Sequence, residues 1–185
     1  MNTPAQDDAS APGFRPFSVP GNNVDAFVRS WTGVAALHID RHLTVAGSSP
    51  LAAALFPHLR IGTNLAREVF LGSLPGREPE CARTMSGQVV AALHSSLASN
   101  HDDAEFRQIV GELSALSRDF SAAWAAERVA LRSNGVVSAS HPVAGELLLR
   151  YQLLELAAAD NDLLVIWQAA DARSESAFAQ LALAS

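Results

Sequence analysis

After Asn134-Gly135 the apolar spacing changes from helical to a period of two, a pattern that no helix accommodates. In LLLRYQLLEL (147–156), Leu147, Leu149, Tyr151 and Leu153 fall on one face, and Leu148, Arg150 and Gln152 on the other. The following LLVIW (163–167) is apolar on both faces, as a central strand should be. Two short apolar runs near the other end, GVAALHID (33–40) and LTVAGS (43–48), flank a polar break at Asp40-Arg41-His42 and read as a β-hairpin. Strands at both ends with helical spacing between them leave few architectures. The two ends must build one antiparallel sheet while the helices cross over it, so the expected class is α+β, a PAS-like sheet with a helical excursion between strands 2 and 3.

The excursion can be read piece by piece. NNVDAFVRSW (22–31) has helical spacing and precedes the hairpin. SPLAAALF (49–56) carries Pro50 in its first turn and is ended by Pro57. NLAREVFL (64–71) is a second short helix, with Thr63 expected as its cap. GSLPGREPE (72–80) is a Gly/Pro-rich loop. Met85, Val89, Leu93 and Leu97 then form the stripe of a long helix over 80–98. Asp102 and Glu105 have capping-box spacing, with Phe106, Val110 and Leu113 buried behind them. Another start at Ser117 places Phe120 and Trp124 one turn apart. Asn134-Gly135 reads as a turn before a strand at Val136–Ser140. AAADND (157–162) is a turn, and a helix over 173–184 with Phe178 and Leu181 closes the chain.

Composition narrows the function. Residues 1–20 carry Pro4, Pro12, Pro16 and Pro20 among small and acidic residues and are expected to be a disordered leader to a domain over 21–185. No apolar run approaches the roughly 18 residues of a membrane span, and there is no secretory signal, so a cytoplasmic protein is expected. The single cysteine, Cys81, fits a reducing compartment and reads as packing. All 13 basic residues are arginine, and they are scattered. With a net charge of −6, this chain alone is expected not to bind nucleic acid.

Catalytic and metal motifs are missing. The 6 histidines have no helical HExxH spacing, and there is no Cys pair, Walker loop, GxSxG or dinucleotide fingerprint. The expectation is no catalytic residue, no metal and no cofactor. His141-Pro142 and Gly145 read first as the bend between two strands, since proline holds the residue before it extended. Phe120 and Trp124 read first as core. Arg67, beside an apolar surface, could pair with an anionic headgroup through its planar fork.

Several segments together resemble one family, the ligand-binding domain of MmyB-like bacterial transcription regulators. They are DRHLTVAGSSPLAAALF (40–56), NLAREVFLG (64–72), VVAALHSS (89–96), GELSALSRDFSAAWA (111–125), HPVAGELLLRYQLLEL (141–156) and LLVIWQAADARSESAFAQLA (163–182). The resemblance implies a PAS-like sensor, found mainly in actinomycetes, whose cavity can hold a fatty-acid-like molecule. It also implies a preceding helix-turn-helix domain, which is expected to be lacking here because residues 1–20 are all that precede the domain. The expected ligand-binding residues are Phe70, Phe120, Trp124, Leu149 and Tyr151, with Arg67 or His141 as the polar anchor. The chain departs from the family pattern at Ser49, Gly72 and Glu127-Arg128, all polar positions. The alternative is an interaction module with a side-chain-filled core, pairing with a second copy or docking a separate DNA-binding protein.

Overall fold

The computed structural model describes residues 24–72, 79–99, 102–126, 130–156 and 162–184. The leader, most of the Gly/Pro-rich loop, all but the last residue of the AAADND turn and the Cys81 side chain lie outside the described residues. The elements are α1 (Val24–Arg29), β1 (Ala35–Ile39), β2 (Val45–Ser48), α2 (Pro50–Leu55), α3 (Leu65–Phe70) and α4 (Pro79–Ser99). They continue with α5 (Ala104–Leu116), α6 (Arg118–Ala125), β3 (Asn134–His141), β4 (Gly145–Leu156), β5 (Asp162–Ala169) and α7 (Ala172–Ala184). The strands form one 5-stranded sheet in the order β2-β1-β5-β4-β3, and every pairing is antiparallel. Strand β5, the continuous apolar run, is central, and among the described residues five helices lie between β2 and β3. This is the α+β plan expected from the sequence.

Alternation assigns the two faces. Leu37 opposes Val165, which opposes Leu153, and Tyr151 opposes Trp167. These residues point inward, where Leu37, Leu147 and Leu149 join Phe106, Ile109, Leu113 and Phe120 in the main core. Removing that surface from water supplies the main drive for the helices to cover this face. The opposite face is covered at one end by α1, where Val28 packs on Ala36 and Leu164.

Three local expectations change. The cap of α3 is Asn64, not Thr63: its side-chain oxygen accepts from Arg67 N at 3.1 Å, while its amide donates to His42 O at 2.7 Å. The cap of α5 is Asp103, not Asp102, and accepts from the N–H groups of Glu105 and Phe106. In both cases adjacent polar residues compete, and the one that caps has extended backbone and directs its oxygen at the open helix end. The third change is at Asn134-Gly135, which begins β3 instead of making a turn, pairing with Gln152 and Tyr151. A Cβ on Gly135 would stand 2.7 Å from Tyr151 Cε1, so glycine here makes room for the tyrosine ring.

Candidate ligand cavity

The helices do not fill all the space above the inner face. A cavity of about 230 Å³ remains between the sheet, the connection from α2 to α3, the first half of α4 and the stretch leading into β3. Its floor is built by period-two alternation: Ile39, Leu153, Leu163, Val165 and Trp167 all point the same way. Its roof comes from Leu43, Leu59, Met85 and Val89. Phe56, which ends α2 by donating its N–H to Ala52 O, lies 4.9 Å from Trp167 between ring centroids. The two rings form one end wall.

Polar groups are few among the lining residues and sit on particular elements. Gln88 on α4 accepts a hydrogen bond from the backbone N–H of Arg132 at 2.6 Å, tying the segment before β3 to the helix. Tyr151 packs against Gly135, and burial pushes its phenol above the ordinary tyrosine range, an effect that the nearby charge of Arg132 partly opposes. Among the described residues, the lining contains no aspartate or glutamate.

Among the residues put forward from the sequence, Tyr151 lines this cavity. Leu149 lies on the same face of β4 and is fully buried in the core. Phe70, Phe120 and Trp124 belong to a neighbouring aromatic cluster: Phe70 meets Phe120 edge-on at 5.0 Å, and Trp124 stacks on His94 at 3.9 Å. Arg67 is engaged with Glu112, its Nε and Nη2 donating at 3.1 and 2.7 Å to one carboxylate oxygen. His141 is engaged as well. Its Nε2 donates to Ala54 O at 2.9 Å, and its Nδ1 accepts from the N–H groups of Val143 and Ala144. Both side chains expected as polar anchors therefore have partners within the protein.

Sequence reasoning missed Phe56, Leu59, Gln88, Arg132 and Trp167 as lining residues. Trp167 was the accessible one, because it continues the inward alternation of Leu163 and Val165. The others belong to irregular connections or to one face of α4, where spacing carries no sign of a void. Among the described residues, no group of three or more histidine, cysteine or carboxylate side chains could hold a metal ion. None of their helices is long and apolar enough to cross a membrane.

A search of curated proteins returns no match. A family model, described as the MmyB-like transcription regulator ligand binding domain, matches residues 21–183. The chain belongs to that family of regulator ligand-binding domains.

Proposed function

We propose that this domain is a non-catalytic cytoplasmic sensor that takes the tail of a small fatty-acid-like amphiphile into the cavity above β1, β4 and β5. The cavity of about 230 Å³, walled by aliphatic and aromatic side chains, carries this reading. Each methylene buried there would contribute about 0.8 kcal/mol, so a chain binds through burial with few polar contacts. The volume lies below the roughly 300–1,000 Å³ of pockets for drug-sized ligands, which favours a medium chain over a long one. Ligand occupancy would brace α4 against the sheet, and the signal would pass to a DNA-binding protein or a second copy of the chain.

The test is extraction of the purified protein followed by mass spectrometry, with thermal shifts measured across a panel of fatty acids. A recovered acyl chain and a rise in melting temperature that peaks at medium length are expected. Recovery of no acyl chain together with a flat thermal panel would refute the reading. A second reading, a module for protein association, draws on the outer face of the sheet. Val136, Leu148 and Leu154 there are 53, 39 and 42% exposed. It is tested by sedimentation of the wild-type chain and of L148E, which separates an associating sheet from a monomer.

A further inference from the structure

The chain has a net charge of −6, yet among the described residues the lining of its cavity holds no carboxylate. Among the described residues, the ionisable side chains that line it are His58, Arg132 and Tyr151. A cationic head group would therefore enter without a counter-charge, whereas an anionic one would meet arginine. Arg132 is exposed, lies two residues before the start of β3, and is held in place through its backbone N–H by Gln88 Oε1 at 2.6 Å. Because the Gln88 oxygen accepts that bond, its NH2 group is left as a donor at the same spot. Among the described residues, the Arg132 guanidinium forms no salt bridge, in contrast to Arg67 with Glu112. Tyr151, within range of the Arg132 charge, adds a hydroxyl donor.

From this arrangement we infer that Arg132, flanked by the Gln88 amide and the Tyr151 hydroxyl, is the head-group site for a carboxylate. It makes the cavity select anionic amphiphiles over neutral or cationic ones of equal chain length. The inference rests on the cavity reading above and adds the charge of the ligand and the residue that reads it. A guanidinium suits this task because its fork can give two parallel hydrogen bonds to one carboxylate.

The experiment is calorimetric titration of decanoate, decanol and decylammonium into the whole chain, as wild type, R132Q, R132K and H58Q. Wild type is expected to bind decanoate about tenfold tighter than decanol, the size of one charge-assisted contact at a partly solvated site. R132Q should bring decanoate to the affinity of decanol and leave decanol unchanged. R132K should keep part of the preference, as a point charge without the fork. H58Q should keep all of it. Loss of the preference in H58Q with its full retention in R132Q would assign the head group to His58 and overturn the inference. Added salt should narrow the wild-type gap between decanoate and decanol, which tests the charge even if R132Q does not fold. Equal wild-type affinities for decanoate and decanol, a salt-independent gap, or a full preference in R132Q would overturn this inference and leave the cavity standing. Binding of none of the decyl probes to wild type would overturn both.

Discussion

Replacing His141 with alanine would remove one donor and one doubly used acceptor from a residue that is only 7% exposed. The ring closes the hairpin between β3 and β4, where His141 pairs with Gly145 and Gly145 takes a φ of 72°. Its Nδ1 accepts from Val143 N at 3.2 Å and Ala144 N at 3.0 Å, which fixes the proton on Nε2. That proton goes to Ala54 O at 2.9 Å, joining the hairpin to α2. Three hydrogen bonds at about 1 kcal/mol net each set an upper value near 3 kcal/mol. Val143 is 88% exposed, so water can reach the freed N–H groups and recover part of this. The expected loss for H141A is about 2 kcal/mol, read as a lower urea midpoint with an unchanged slope. H141N should lose only about 1 kcal/mol, since an asparagine oxygen can accept from the N–H groups two and three residues on. H141F, which keeps the ring bulk and none of the bonds, should resemble alanine. A phenylalanine variant as stable as wild type would show that packing, not hydrogen bonding, is the role of this residue. A loss of decanoate affinity in folded H141N would refute its placement outside the cavity.

Four further outcomes can be checked on the same preparation. S49A should cost about 2–3 kcal/mol in urea unfolding, because the fully buried hydroxyl accepts from Ala36 N and Ala52 N and donates to Val34 O at 2.7 Å. Burial raises the pKa of Asp40, with hydrogen bonding from Thr44 opposing it, so its fold-stabilising contribution is present at acidic pH and lost as pH rises through the raised value. D40N, which keeps an oxygen for His42 N and Thr44 N, should therefore match or exceed wild-type stability at neutral pH, with the difference shrinking in acid. The chain has 1 tyrosine, so an ultraviolet titration reports Tyr151 alone; its phenol should ionise above the ordinary range, and higher still in R132Q. A double-mutant cycle on Arg67 and Glu112, 40 and 32% exposed, should return no more than about 1 kcal/mol and fall with salt.

The sheet could be read from the sequence because each strand carries its own record of what lies on either side. In β4, Leu147 and Leu149 are 1% and 0% exposed while the intervening Leu148 is 39% exposed, so the alternation and the burial agree residue by residue. The cavity has no such record. Aromatic residues one turn apart, such as Phe120 and Trp124, satisfy the same spacing whether they face a ligand or one another, and here they stack at 5.5 Å. Partners are equally invisible along the chain: Arg67 meets Glu112 across 45 positions, and His141 meets Ala54 across 87. A void is the part of the fold where facing side chains fail to meet, and period encodes only where they point. Of the floor, Tyr151 was thus named from the sequence, while Leu149, expected beside it, is buried in the core; the roof depended on how far α4 stands from the sheet. The Asn134-Gly135 pair makes the same point from the other side. Its local preference for a turn yields to a cross-strand demand, because the Tyr151 ring needs the space that a Cβ on Gly135 would take. A glycine that looked like punctuation thereby seats the one tyrosine of the chain in the cavity lining that also includes Arg132.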